Sequence, residues 1–116
     1  MTLPNVAAAV VPAAKIVDYL LNPAHPDGAG KAKFFTSLGF SRSDWEQLAM
    51  ALRRLAERFP VGQTLESAHG TKYIVDGPLE TPGGATPVVR SVWIVDHGSD
   101  VPRLVTAYPH DEGNPK

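Results

Sequence analysis

The segment His25-Pro26-Asp27-Gly28-Ala29-Gly30-Lys31 places an imidazole, a carboxylate, two glycines and an ammonium within seven residues. If a helix begins near Gly30, the backbone N–H groups of residues 29–33 lack partners within the helix. They carry the positive end of its dipole and can receive an anion. Gly28 and Gly30 allow a ligand to approach the backbone closely. Lys31 adds a full positive charge where the helix dipole disfavours one, and His25 supplies a group able to give or take a proton. Asp18 and Asn22 lie close enough in sequence to orient it. The same residues also read as ordinary helix-start chemistry, with His25 capping or packing and Lys31 solvated. The segment is not a P-loop, because it lacks the Gly-x-x-x-x-Gly-Lys-Ser/Thr register and joins two helical patterns rather than a strand to a helix.

A second group falls on the C-terminal half. Arg90 interrupts the apolar run Val88–Val95, and an unpaired buried arginine is costly. It either reaches solvent, pairs with Asp76 or Asp96, or serves an anion. Thr106 and Tyr108 alternate on "RLVTAYP", sharing a face with Leu104, while Val105 and Ala107 share the other. His69 and Lys72 sit in "AHGTKY", a hairpin tip by composition. The four histidines are scattered and form no HExxH or comparable pair, so no metal site is expected. No Gly-x-Ser-x-Gly is present.

These residues must be positioned by the following elements. Pro12 opens a helix over residues 13–21, with Ile16, Tyr19 and Leu20 at helical spacing. "NPAHPDGAG" is a loop. A second helix covers residues 30–38 and ends at Gly39. Ser43 and Glu46 read as a capping box for a third. There Trp45, Leu48, Leu52, Leu55 and Phe59 form one apolar stripe, with Arg42, Arg53, Arg54 and Arg58 mainly opposite. Beyond Pro60 the pattern alternates, giving strands at 64–69, 71–79, 88–97 and 103–109. On the third, Arg90 shares a face with Val88, Val92 and Ile94, and Ser91 with Val89, Trp93 and Val95. The expected fold is α+β: three N-terminal helices followed by a four-stranded antiparallel sheet, one face covered and the other open. Ile16, Leu20, Phe35, Leu38, Trp45, Leu48, Leu52, Leu55, Ile74, Val92, Ile94 and Val105 are the expected core.

At 116 residues, the chain is expected to form one domain, residues 1–116, with a leader at 1–11, a folded core at 12–109 and a loose tail at 110–116. The absence of cysteine excludes disulfides and thiol catalysis. The net charge of -1 gives no global attraction to nucleic acid, so any phosphate site must be a local patch. No apolar run approaches the ~18 residues of a membrane span, and the start lacks the basic region of a signal peptide. No membrane association is expected.

"KIVDYLLNPAHPDGAGKAKFFTSLGF", followed by an amphipathic helix, "HGTKYIV", "VWIV" and "PRLVTAYP", resembles a small bacterial domain family. Its pattern is Tyr-Leu-Leu-Asn, His-Pro-x-Gly, Lys-Ala-x-Phe-Phe, Leu-Gly-Phe and Leu-Val-Thr-x-Tyr-Pro. The resemblance spans about residues 15–109. Members stand alone or form the C-terminal domains of polymorphic or contact-dependent toxins. Their layout is similar to the barnase–EndoU–colicin–RelE group of ribonuclease folds. The resemblance implies a metal-independent endoribonuclease acting on RNA, transfer RNA in particular. It requires no cofactor, works in the cytoplasm, including that of a cell into which it is delivered, and meets a cognate antitoxin or immunity protein. It implies catalytic roles for His25 or His69 as base, Lys31 and Arg90 as cations on the phosphate, and Thr106 as a donor to it. Gly28, Gly30, Lys72 and Tyr108 would bind substrate. The competing class is a non-catalytic protein-binding module, an immunity or regulatory protein. Convergence of His25 or His69 with Lys31, Arg90 and Thr106 separates the two.

Overall fold

A computed structural model of the chain describes residues 1–110. Helical segments come first and a four-stranded antiparallel sheet follows, in the order β1-β2-β3-β4. The α+β expectation therefore holds. A 3-10 turn (Val6–Ala8) precedes α1 (Ala13–Lys15), which runs directly into a π turn (Ile16–Leu20). Then come α2 (Ala29–Ser37), α3 (Trp45–Arg58), β1 (Val61–Glu66), β2 (Gly70–Pro78), β3 (Val88–Asp96) and β4 (Pro102–Pro109).

The expected first helix is thus α-helical for its opening residues only. The Leu21 N–H donates to Ile16 O at 2.8 Å, the five-residue spacing of a π turn. Leu20 and Ile16 are buried, and Tyr19 is left half-buried beside the sheet edge. Gly39 ends α2 as expected. At φ 102° it adopts the left-handed conformation, and Phe40 N–H reaches Phe35 O while Gly39 N–H reaches Thr36 O. This is the Schellman pair of bonds.

The capping box at α3 does not form. Asp44 is the N-cap and makes no side-chain capping bond. Ser43 Oγ lies 3.2 Å from Ser41 Oγ, and the Asp44 N–H donates to Ser41 Oγ. A serine-rich turn takes the groups that the box would have used. The apolar stripe is as read: Leu48, Leu52 and Leu55 are buried, while Trp45 and Phe59 pack at the margin.

The first strand begins at Val61, three residues earlier than expected. Gly62 lies in a bulge, where the register slips between Val61 and Gln63. The helices cover the sheet face that carries Val75, Val89, Trp93, Leu104 and Ala107. Ile74, Val92 and Ile94 are also buried, at 7%, 9% and 4% exposure. Alternation places them on the opposite face with Asp76 and Arg90. They lie outside the main core cluster. Leu38 and Trp45 only border the core.

Val105 is not a core residue. The β3–β4 ladder pairs Trp93 with Leu104 and Val92 with Thr106, so Val105 is the extra residue of a bulge. The bulge reverses the alternation: Leu104 faces the helices, Thr106 and Tyr108 do not, and their shared face with Leu104 is lost. The segment read as a leader is part of the packing. Leu3 is 1% exposed, and Val10 bridges β4 through Val10 N–H to Pro102 O and Leu104 N–H to Val10 O. At the other end His110 N–H donates to Val88 O at 3.0 Å and continues the β3–β4 ladder. The remainder of the expected tail, 111–116, lies outside the described residues.

Candidate functional site

The His25–Lys31 loop folds against Tyr19. His25 Nδ1 accepts the N–H groups of Asp27 and Gly28, both at 3.0 Å. Those donors fix the hydrogen of the neutral ring on Nε2. His25 therefore holds its loop as a cap, and Nδ1 is not available as a base. Its ring meets that of Tyr19 edge-on, with centroids 5.0 Å apart. Asn22 and Asp18 shape the same loop without engaging the imidazole: Asn22 Nδ2 donates to Asp18 O, and Asn22 Oδ1 accepts from Ala24 N–H.

The two glycines differ. A side chain at Gly28 would sit 2.4 Å from Tyr19 O, so this glycine serves close packing within the protein rather than ligand approach. Gly30 has nothing within 4 Å of that position and lies open. The loop also uses part of the helix end, since Ala29 N–H is taken by His25 O.

Lys31 Nζ donates to Asp27 O at 3.1 Å and stands 5.5 Å from the Tyr19 ring centroid. Lys15 Nζ is also 5.5 Å from that centroid. Tyr19 thus holds two ammonium groups by cation–π attraction. Its hydroxyl is 2.9 Å from Thr106 Oγ1 on the edge strand β4. Tyr19, His25, Lys15, Asp18, Asp27, Val105 and Thr106 contribute to an open groove of about 570 Å³. A second groove beside Lys31 is bounded by Asp27, Gly30, Tyr108 and Pro109.

Tyr108 carries the site onto the open sheet face. Asp76, Arg90 and Tyr108 form one row across β2, β3 and β4. Asp76 grips Arg90 with two bonds, Nε to Oδ1 at 2.8 Å and Nη2 to Oδ2 at 2.9 Å. Hydrogen bonding to Asp76, opposed by burial and reinforced by the carboxylate charge and by Tyr108, raises the guanidinium pKa above its usual value. Of the two pairings expected for Arg90, with Asp76 or with Asp96, the Asp76 pair is the one formed. Two of the five guanidinium N–H bonds are committed to it, which leaves donors for a second anion. His110 Nε2 lies 3.4 Å from Arg90 Nη2 and 3.7 Å from Asp76 Oδ2.

His25, Lys31, Thr106, Tyr108 and Arg90 are therefore linked in one surface that runs from the loop around the β4 edge. His69 is not part of it. Its carbonyl accepts His97 N–H in the β1–β2 connection, beside the Gly70–Asp96 end of the ladder. Six residues separate that end from Arg90 on β3, roughly 20 Å along a strand. Its neighbours there are Asp96, whose pKa it helps to lower, and Arg103, which binds Asp96 at 2.8 and 3.0 Å. Lys72 shares the open face but pairs with Ile94, four residues along β2 from Asp76. Tyr19 and His110 were missed by sequence reasoning. Tyr19 read as an apolar helix position. His110 continues the Thr106–Tyr108 alternation, a signal hidden by placing it in the tail. Among the described residues no three histidine, aspartate or glutamate side chains gather as a metal set, and no helix is long and apolar enough to cross a membrane.

The architecture is that of a small α+β domain whose helices pack on one sheet face, with an open groove along its edge strand. The chain belongs to the family described as a domain of unknown function, DUF6883, whose model matches residues 2–111. No match is found among curated protein sequences. A chain of the solved contact-dependent growth inhibition toxin–immunity protein complex from Klebsiella pneumoniae 342 is similar in structure, with a TM-score of 0.71 and 22% identity. The similarity covers 91% of this chain and 97% of that one. The two share a fold.

Proposed function

We propose that the chain is a ribonuclease-like toxin domain that cleaves RNA without a metal ion, transfer RNA being the first substrate to test. The observation that supports it best is the continuous surface joining Lys31, Thr106, Tyr108 and Arg90. Cleavage by the neighbouring 2'-hydroxyl needs cations and hydrogen-bond donors around a phosphate, and proton transfer at two oxygens. Lys31 and the remaining donors of Arg90 supply the cations, Thr106 a hydroxyl, and Tyr108 a ring on which an unpaired base stacks. Gly30 leaves the loop open to the sugar–phosphate chain. His25, with its hydrogen on Nε2, contributes a donor rather than a base. Similarity to a chain of a toxin–immunity complex supports the toxin setting, with a cognate immunity protein as partner and the target cell's cytoplasm as the place of action.

A second reading has its own observation. Arg90 is held by Asp76, and His25 is committed to its loop, so both serve structural contacts, which favours a non-catalytic protein-binding module such as an immunity protein. The experiment that separates the two is cleavage of total transfer RNA by the purified chain in EDTA, beside Lys31→Ala, Thr106→Ala and Arg90→Ala. Discrete cuts with cyclic-phosphate ends, lost in the folded variants, support the nuclease. A folded chain inert across a range of salt concentrations supports the binding module.

A further inference from the structure

We propose that His110 is the proton donor to the leaving oxygen, oriented by Asp76 and Arg90. This rests on the ribonuclease reading and assigns it a residue. The His110 backbone is fixed by its bond to Val88 O, two residue pairs beyond the Arg90–Tyr108 pair. Its ring is not a loose tail group, since 28% of the side chain is exposed. Nε2 lies between a group that only donates, Arg90 Nη2 at 3.4 Å, and a carboxylate that only accepts, Asp76 Oδ2 at 3.7 Å.

That placement gives both protonation states a partner. The imidazolium, and the neutral ring left when it gives up its Nδ1 proton, both carry hydrogen on Nε2, directed at Asp76. In the other neutral tautomer, with hydrogen on Nδ1, Nε2 accepts from Arg90. Among the described residues no hydrogen bond engages Nδ1. The ring is thus anchored through one nitrogen and offers the other, as an acid–base histidine oriented by a carboxylate does. Among the described residues, Asp76 on β2, Arg90 on β3 and Tyr108 on β4 are the titratable or charged groups that face it. His25 lacks this arrangement, because its Nδ1 is tied to two backbone N–H groups.

In the cleavage step the 2'-oxygen bonds to phosphorus as its proton passes to solvent. The bond from phosphorus to the 5'-oxygen breaks, and Nδ1–H of the imidazolium protonates that oxygen. The products are a 2',3'-cyclic phosphate and a free 5'-hydroxyl. Water then restores the imidazolium proton.

The test compares two synthetic RNA oligonucleotides spanning a site that the intact chain cuts. One carries the ordinary phosphodiester; the other has sulfur in place of the bridging 5'-oxygen and leaves without protonation. His110→Ala and His110→Gln are expected to slow cleavage of the first by roughly 100- to 10,000-fold, the range for a lost general acid, and to recover most of that loss on the second. Lys31→Ala is expected to be slow on both. Equal losses of the His110 variants on both substrates, or no loss on either, overturn the assignment while leaving the ribonuclease reading standing. A folded wild-type chain that cuts no site in total transfer RNA, so that no such oligonucleotide can be chosen, overturns the two together. Thermal unfolding of both His110 variants separates loss of the acid from loss of the fold.

Discussion

The Tyr19 hydroxyl and Thr106 Oγ1 stand 2.9 Å apart, although 87 positions separate them in the chain. Their contact ties the π turn to the edge strand, and both residues line the groove that also holds Lys15 and His25. Tyr19→Phe removes the hydroxyl but keeps the ring against Lys15 and Lys31. It is expected to cost about 1 kcal/mol, the net worth of one such hydrogen bond, read as a lower urea midpoint at unchanged slope. Thr106→Val removes the same contact from the other side. The double variant is therefore expected to be less destabilised than the sum of the two singles. Full additivity would show that the hydroxyls do not interact in solution.

Gly28 and Gly30 separate packing from openness within one loop. Alanine at 28 would drive its Cβ to 2.4 Å from the Tyr19 carbonyl oxygen, a backbone atom that cannot swing aside. Gly28→Ala is expected to destabilise the chain by roughly 1–3 kcal/mol, the usual cost of overpacking. Gly30 lies in α2 with nothing within 4 Å. Gly30→Ala is expected to stabilise by about 0.4–1 kcal/mol, by restricting the unfolded chain. Thermal unfolding of the two variants should move in opposite directions. A shift in the same direction would mean that the loop has a different shape.

Much of this architecture was legible because its signals are local. The 3.6-residue stripe of α3, Gly39 at the end of α2 and the alternating runs after Pro60 each follow from side-chain direction alone. The face of β3 was harder to read, because Val89 and Trp93 on one side and Val92 and Ile94 on the other are all buried. Periodicity cannot choose between two apolar faces. Arg90 marked the open one, while Ser91 hid on the covered one. The β4 bulge was illegible, since no residue type in "RLVTAYP" announces an extra residue at Val105. The site was half legible: Lys31, Arg90, Thr106 and Tyr108 were singled out by type and do join one surface. What links Lys31 to Thr106, the ring and hydroxyl of Tyr19, is a tertiary contact that no spacing encodes. His69 was a candidate by type alone, and strand length places it at the far end of the sheet.

Ser91 is the one fully buried polar side chain named among the described core residues, and its hydroxyl bridges two groups. It donates to Val75 O at 2.9 Å and accepts from Trp93 Nε1 at 2.9 Å. Ser91→Ala leaves the indole N–H buried without a partner and is expected to cost about 1–3 kcal/mol. In a Trp93→Phe background that donor is absent, so the same substitution should cost less. Urea unfolding of the four proteins in the cycle measures this. An unchanged cost in the Trp93→Phe background would mean that the serine acts through Val75 alone.

Asp96 and Arg103 bind each other at the opposite end of the sheet from the candidate site. Hydrogen bonding to Arg103, opposed by desolvation and aided by the charges of Arg103 and His69, holds the Asp96 pKa below the usual 3.8. Because the folded value is the lower one, the stabilisation is present above the unfolded value and disappears as pH falls through the folded one. The pair is partly solvent-exposed, so the effect is modest and weakens with salt. Asp96→Asn is expected to lower the unfolding midpoint at neutral pH, with the two curves converging as pH falls below 3.8. A constant offset between wild type and Asp96→Asn across the acid range would show that the substitution acts through packing instead of charge. Cleavage of RNA, if governed by the Lys31–Arg90 surface, should be unaffected by this substitution at neutral pH.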